Sequence, residues 1–311
     1  MTRYLLNRLV QLVPVLLLIS VIIFSLMHVL PGDPAMLILS GAEGGAAGPE
    51  RLAELRAQMG LDDPLPVQYF RFLGGALTGD FGESIRFRVP VSELLADRFA
   101  STMTLAFAGL CWSILIGVPL GMAAAVRQNG WIDATAMSLS YLGAAMPVYW
   151  LGLLFILFFS FDLRWFPPAG GGSIRHLVLP SLTLGLISAG IVARLVRSSM
   201  IETLEEDYIR TGRAKGLGEA VLLWRHGLKN ALIPVVTMLG LQFGGMLAGA
   251  VVTETVFSRP GLGRLVVDAI LAKDYPLVQG CVLFLAVIYL FVNLFVDVLY
   301  AWLDPRIRYG K

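Results

Sequence analysis

Six stretches of this chain contain no Asp, Glu, Lys or Arg, and each is long enough to cross a lipid bilayer as a helix. A bilayer span needs roughly 17 to 25 apolar residues at a helical rise of about 1.5 Å per residue. The mean hydropathy of +0.74 and the charged content of 15% are typical of a membrane protein and argue against a soluble domain. The stretches are residues 9–32, 99–126, 134–161, 177–193, 230–253 and 275–296.

Helices are the expected form of these stretches, because backbone groups in a bilayer must bond within their own segment unless a barrel closes. A barrel would need alternating strands of about ten residues, which the sequence lacks. Although Arg3 and Arg8 precede the first stretch as in a signal peptide, no small-residue cleavage site follows, so we expect it to be retained. We predict one all-α transmembrane domain over residues 1–311. Its parts are TM1 at 9–30, a helical periplasmic insertion at 31–98, TM2 at 99–126, TM3 at 134–161, TM4 at 177–197, a cytoplasmic loop at 198–229, TM5 at 230–254 and TM6 at 275–302.

The distribution of basic residues predicts the orientation of these helices. With a cytoplasmic N-terminus, the inner side carries thirteen Lys and Arg residues, and the two short outer loops carry five. The insertion has six more, but it also has ten acidic residues and is too long for the positive-inside bias to apply. We therefore expect a multi-pass protein with both termini in the cytoplasm.

The two longer outer loops carry helical patterns of their own. In the insertion, Asp33 and Pro34 can start a short helix, residues 41–48 form a small-residue linker, and residues 49–59 form a helix that Gly60 ends. The following segment, PVQYFRFLGGALTGDFG, suits a helix that lies on the membrane surface or on another subunit, and equally a small packed cap. The loop at 256–276 predicts a short amphipathic helix with Leu265, Val266, Ile270 and Leu271 on one face.

Signatures of catalysis and of cofactor binding are missing from the sequence. It has no GxxxxGK[ST] phosphate loop, HExxH, GxSxG or CxxC motif, so we expect no cofactor, no metal site and no catalytic residue in this chain. The two cysteines, Cys111 and Cys281, fall inside apolar stretches, and His28, His176 and His226 are far apart in the sequence. The basic residues are spread among loops, which argues against nucleic-acid binding.

The membrane segments give no clear substrate pathway. Charged residues are absent from their central turns, where coupling ions usually require them. Glu254 and Asp297 lie near helix ends, which favours interfacial anchoring over a transport role. The default role of Tyr141, Tyr149, Trp150 and Gln242 is packing, so the pathway residues stay unknown.

The most informative loop reads DYIRTGRAKGLGEAVLLWRHGLKNALIP from Asp207 to Pro234. It predicts two short amphipathic helices, with Leu204, Tyr208 and Ile209 on one face of the first and Val221, Leu222, Trp224 and Leu228 on one face of the second. The glycines from 216 to 218 would form a hinge between them. A juxtamembrane basic cluster commonly binds anionic lipid. Four acidic residues within ETLEED at 202–207 would oppose that, so a protein partner is favoured.

This loop resembles the ATPase-contacting loop of the inner-membrane permeases of bacterial ABC importers for dipeptides, oligopeptides, glutathione and nickel. The general signature, EAA, three residues, Gly, nine residues and I-x-L-P, is kept only at Gly216 and Leu228. The peptide subfamily's version, close to DYxRTARAKGL followed by RHxLRNALIPV, matches almost throughout, with Gly212 where Ala is usual. Gly in place of Ala inside a helix costs up to about 1 kcal/mol.

Four further collinear stretches extend the resemblance over nearly the whole chain. They begin at Met1, Leu61, Val236 and Val256, and the tail LYAWLDPRIRYG also conforms. The resemblance implies a type I importer permease fold, alternating access in a bacterial inner membrane, and a loop that ATPase closure moves as a rigid lever. The loop residues that it assigns to ATPase contact are Asp207, Tyr208, Arg210, Thr211, Ala214, Lys215, Gly216 and Leu217.

The same resemblance implies the partners: a second homologous permease, two ATPases that bind ATP and Mg, a periplasmic or lipid-anchored substrate-binding protein, and membrane lipid. Peptide-like solutes are the expected cargo. A permease for nickel or a nickel chelate is the alternative within the family, since a chelated metal needs no ligand cluster. Two other classes stay open on the residues alone, an ion-coupled secondary transporter and a structural membrane anchor.

Overall fold

The computed structural model describes residues 2–29, 35–36 and 49–303. Within these residues every element is helical apart from one isolated antiparallel bridge between Glu83 and Pro90. The helices are α1 Thr2–Val29, α2 Pro49–Met59, α3 Leu65–Thr78, α4 Val91–Val126, α5 Trp131–Ala145, α6 Val148–Phe155, α7 Ile174–Leu204, α8 Asp207–Ala214, α9 Leu228–Val256, α10 Leu262–Leu271 and α11 Tyr275–Leu303. A π-helical segment, Ile156–Asp162, continues α6, while a helical turn, Glu219–Val221, and a second π-helical segment, Leu222–Gly227, precede α9.

The described residues contain five continuous helical segments that are long and apolar enough to cross a membrane, and a bent pair that completes the predicted six if it counts as one span. The predicted continuous helix at 134–161 is therefore wrong in one respect. It breaks between Ala145 and Val148, and its two halves are bent by 106°. Pro147 causes the break, because it lacks an N–H and disfavours helical geometry at Met146, whose φ and ψ are −76° and 131°.

Other predicted boundaries shift because a helix does not have to end where the membrane ends. The second membrane helix starts at Val91 instead of residue 99, and the fourth extends from Ile174 to Leu204 instead of covering 177–197. The helix predicted to start at Asp33 and the linker at 41–48 lie outside the described residues. The helix at 49–59 is confirmed, and Gly60 follows it with a φ of +64°.

The described chain divides into two compact units. The first comprises the residues up to Ser101 together with Gly261–Phe291, and the second comprises Thr102–Pro260 together with the residues from Val292 onward. In the first unit α10 packs through Leu262, Leu265 and Val266, all buried, against the start of α4 and against α11. The amphipathic helix predicted here is confirmed, but Ile270 and Leu271 lie on its exposed side.

Also in the first unit, α3 lies against α1. The Tyr69 hydroxyl is 2.9 Å from the Ser20 hydroxyl, and the Tyr69 ring meets the Phe24 ring edge-on at 5.5 Å between centroids. On its other side α3 exposes Phe70 and Leu77. This arrangement fits the amphipathic helix that the sequence predicts, with one face packed and one apolar face uncovered by the described chain.

In the second unit α7 is the most buried helix, with fourteen buried residues from Leu179 to Met200. Glycines allow its close packing: a Cβ on Gly117 of α4 would lie 2.8 Å from Val192, and one on Gly190 of α7 would lie 2.5 Å from the Ser140 carbonyl of α5. Glu254 of α9 is fully buried and accepts a hydrogen bond of 2.6 Å from the Thr102 hydroxyl.

Candidate functional site

The short helix α8 begins the loop that the sequence singled out. Glu206 is extended before it, with φ −65° and ψ 147°, and Asp207 places a carboxylate in the first turn, where the helix dipole favours negative charge. The Thr211 hydroxyl donates to the Asp207 carbonyl at 2.8 Å. The helix is only eight residues long, so its stability depends on packing and on how it ends.

Gly216 ends α8 in a Schellman motif. Its φ is +77°, its N–H donates to the Arg213 carbonyl at 3.0 Å, and the Leu217 N–H donates to the Gly212 carbonyl at 3.2 Å. Gly218 has an ordinary φ of −66° and ψ of 145°. Of the two glycines in the predicted hinge, only Gly216 therefore adopts a conformation that favours glycine.

One face of α8 packs against the π-helical segment that precedes α9. Ile209 and Leu222 are buried, and a Cβ on Gly212 would lie 2.6 Å from Cδ2 of Leu222. Gly212, which departs from the family pattern, thus occupies a close contact inside the loop. The sequence predicted a loosened helix at this position, whereas the structure shows a site with little space for a side chain.

The π-helical geometry also changes which residues face outward. The sequence placed Val221, Leu222, Trp224 and Leu228 on one face of a regular helix. The structure buries Leu222, leaves Leu228 partly buried, and exposes Val221 and Trp224 by 43% and 62% of their surface. Since a π-helical turn bonds i to i+5 instead of i+4, it changes the angular spacing of the side chains. Trp224 is therefore an exposed apolar residue that 3.6-residue periodicity misplaced.

Two polar contacts join α8 to the following helical run. The Asn230 side-chain amide donates to the Tyr208 hydroxyl at 2.7 Å, which connects α8 to the first turn of α9. The Arg213 guanidinium makes two hydrogen bonds to Glu219, at 2.7 Å and 3.2 Å, across the glycine-containing turn. These contacts connect α8 to the first turn of α9, and an ion pair bridges the turn between them.

The Arg213–Glu219 pair stays charged at neutral pH. Hydrogen bonding to Arg213 holds the pKa of the Glu219 carboxyl below its usual value. The pair therefore contributes its full stabilisation at a pH above the ordinary glutamate pKa. This stabilisation is lost as the pH falls through the lowered pKa of Glu219. The two side chains are 46% and 60% exposed, so solvent screens the pair strongly.

The eight residues that the sequence assigned to ATPase contact are all exposed on this loop, and the structure brings them together. Asp207 and Arg210 are the most open, with side chains 96% and 70% exposed. Tyr208 and Leu217 add apolar surface at 42% and 41% exposure. Together with Val221 and Trp224 they form an exposed surface with both signs of charge and apolar side chains, which is suited to binding a protein.

The aromatic residues to which the sequence gave a packing role are open in the described chain. Tyr141, Tyr149 and Trp150 are 63%, 54% and 44% exposed, while Gln242 is partly buried. The three aromatic residues lie on either side of the break between α5 and α6, whereas Gln242 lies on α9. Their packing role stays a prediction, since these three aromatics keep a large exposed surface within the described chain.

Two family models match the sequence. One, described as binding-protein-dependent transport system inner membrane component, matches residues 117–309. The other, described as the N-terminal part of the same kind of membrane component, matches residues 1–106.

Curated relatives match over almost the full length. A glutathione transport system permease protein GsiC of Salmonella paratyphi A is 48% identical over 309 residues, covering 99% of this chain and 100% of the relative. The protein of the same name from Escherichia coli K12 is 45% identical over 313 residues, again covering 99% and 100%.

Solved structures share the fold. A chain of the MetNI methionine ABC transporter in an inward-facing conformation matches with a TM-score of 0.58 and 19% identity, over 68% of this chain and 96% of that one. A chain of an amino acid ABC transporter with histidines matches with a TM-score of 0.52 and 16% identity, over 67% and 94%.

Proposed function

Because this chain belongs to the family of binding-protein-dependent transport system inner membrane components, it is an inner-membrane permease of an ABC importer, and we propose that its cargo is a small peptide such as glutathione. The observation that carries the cargo assignment is the 48% identity to a glutathione permease over 99% of the chain. The solute passes between this permease and a second, homologous one by alternating access. An extracytoplasmic binding protein delivers it, and two ATPases supply the energy.

The loop from α8 to α9 is the contact with one ATPase in this proposal. Support comes from its exposed surface of both charge signs and from the contacts Tyr208–Asn230 and Ile209–Leu222, which connect it to α9. When the ATPases close, α8 moves with the surface that holds it and displaces the first turn of α9. Electrostatic complementarity then sets the orientation of docking more than its affinity.

Uptake by the assembled transporter in proteoliposomes tests the function. We expect labelled glutathione to accumulate only when the binding protein and ATP are present. A non-hydrolysable ATP analogue should not support this uptake, and unlabelled dipeptide or glutathione should reduce it by competition. Accumulation of nickel in place of glutathione would replace the cargo assignment with the nickel alternative. Uptake driven by an ion gradient without ATP would contradict the ABC mechanism for this chain.

We propose that the loop and both termini face the cytoplasm. Lys215→Cys in a Cys111→Ser background gives a single accessible thiol, because Cys281 is buried. In inside-out vesicles a membrane-impermeant maleimide should label this thiol, and in right-side-out vesicles it should not. The reverse pattern would place the loop on the outer face and would remove it from any contact with an ATPase.

A further inference from the structure

A cleft of about 470 Å³ opens in the second unit between α5 and α7, toward the end of α7 that leads into α8. Its polar lining includes Asp133, Tyr141, Arg194 and Arg197. The volume is within the range of small-molecule sites. None of the roles described above uses these residues.

Asp133 and Arg197 neutralise one another within the cleft. The Arg197 guanidinium donates to both carboxylate oxygens, at 2.5 Å and 2.6 Å, and the Asn129 backbone N–H adds a third bond at 2.9 Å. The Asp133 side chain is only 7% exposed, so the pair is held in place. Both oxygens of the Asp133 carboxylate are therefore engaged, and Asp133 forms its ion pair with Arg197.

Arg194 brings a positive charge that no carboxylate balances among the described residues. Its guanidinium lies 5.0 Å from the centroid of the Tyr141 ring and donates one bond of 3.1 Å to the Ser140 carbonyl. A guanidinium has five N–H donors, so most of them remain available. Arg194 directly follows the apolar run 177–193, at the end of this membrane segment.

We propose that this cleft is a binding site for an oxyanion, a carboxylate or a phosphate group, which Arg194 receives while the Tyr141 ring forms one wall. A planar guanidinium matches such groups through paired hydrogen bonds, and a partly desolvated position strengthens them. The Asp133–Arg197 pair repels neither sign strongly, so the net charge of the cleft comes from Arg194.

Two sources supply this chemistry at this side of the membrane. One is the carboxylate of the transported peptide as it leaves the pathway, which rests on the proposed function. The other is the phosphate of an anionic lipid in the adjoining leaflet, which does not. Basic pockets between membrane helices are known to bind such headgroups.

Direct binding to the assembled transporter tests the site. A bimane fluorophore on Ala134→Cys, which lines the cleft, is placed in a Cys111→Ser background, and the transporter is held in phosphatidylcholine nanodiscs. Titration with glutathione and with inorganic phosphate should give saturable fluorescence changes. In Arg194→Gln the midpoint should rise at least tenfold, in Arg194→Lys it should rise less, and in Arg127→Gln, an exposed arginine outside the cleft, it should not move.

The lipid arm repeats the measurement with phosphatidylglycerol in the nanodiscs. A fluorescence change that depends on phosphatidylglycerol and disappears in Arg194→Gln assigns the site to lipid phosphate, while a response to glutathione alone assigns it to the solute. The proposal is overturned if the labelled transporter with Arg194 intact responds to none of the three probes, or if the labelled Arg194→Gln variant responds as that parent does. If Arg194→Gln fails to assemble, Arg194→Lys and Tyr141→Leu carry the same comparison. ATP-driven uptake, measured on the same preparation, reports failure of the transport function separately.

Discussion

The loop that leads into α4 and the loop that leads into the helical run of α9 are each held by hydrogen bonds to one side-chain carboxylate. The two carboxylates differ in burial. At residues 82–90 the closing group is Asp274, which is fully buried and accepts bonds from the Ser84 hydroxyl at 2.5 Å, the Arg86 N–H at 3.0 Å and the Leu277 N–H at 3.3 Å. At residues 213–219 the bridging group is Glu219, whose side chain is 60% exposed and pairs only with Arg213 among the residues that the structure describes.

The difference separates a fixed loop from one that can move at low cost. A buried carboxylate with three donors cannot release them without leaving polar groups unsatisfied away from water. An exposed ion pair exchanges its partners for water at little cost. The 82–90 loop therefore holds its shape within the first unit, whereas the Arg213–Glu219 bridge orders the α8 turn and still permits a change of angle at low cost.

Removal of the buried carboxylate should have the largest effect. Asp274→Ala leaves the Ser84 hydroxyl and the Arg86 and Leu277 amides without their acceptor, so we expect a loss of about 3 kcal/mol or more in the free energy of unfolding. Thermal unfolding of the purified chain in detergent measures it. Asp268→Ala on α10 is the matched control, because that carboxylate is 40% exposed and lies 3.6 Å from Arg264. Equal melting temperatures for the two variants would show that Asp274 does not fix its loop.

A side chain at Gly216 should have the next largest effect, on coupling. Gly216→Val forces a β-branched residue to a φ of +77°, which costs about 1–2 kcal/mol and disturbs the end of α8. Gly218→Val places the same side chain at a φ of −66° with no atom within 4 Å of its Cβ. We expect uptake per ATP hydrolysed to fall at least fivefold in the first variant and to change little in the second. Similar losses in both would favour a general requirement for a flexible hinge.

Much of this loop could be predicted from the sequence, and the reason is that its signal is local. The positions of Asp207 to Leu217 follow one another, so a motif identifies them together. Asp274 lies 190 positions from Ser84, and no pattern in the sequence connects them. The bend at Pro147 was missed because hydropathy does not report direction, and Trp224 was misplaced because a π-helical segment departs from the 3.6-residue period.

The Arg213–Glu219 bridge gives a smaller effect and a choice between two interpretations. The sequence favoured a protein partner for this basic loop, whereas the structure pairs Arg213 within the loop. Arg213→Glu should reduce uptake per ATP hydrolysed severalfold because it sets two carboxylates against each other. The exchange Arg213→Glu with Glu219→Arg should restore most of it if the bridge orders the turn. No recovery in the exchanged variant, with normal assembly, would mean that Arg213 contacts the ATPase directly.

The smallest effect is expected at Gly212, and its sign distinguishes the helix propensity from the packing. Gly212→Ala gains up to about 1 kcal/mol of helix propensity, but the new Cβ would lie 2.6 Å from Cδ2 of Leu222, a side chain that is itself buried. Because that methyl group is the end of a flexible chain, a rotamer change can relieve part of the clash, so we expect a net change within about 1 kcal/mol. The double variant Gly212→Ala with Leu222→Val should be more stable than the sum of the single changes, since the shorter side chain makes room for the alanine. If the melting-temperature shifts of the two single variants add up to that of the double variant, the two residues do not clash. The stability of α8 would then depend on Ile209 and on the glycine cap.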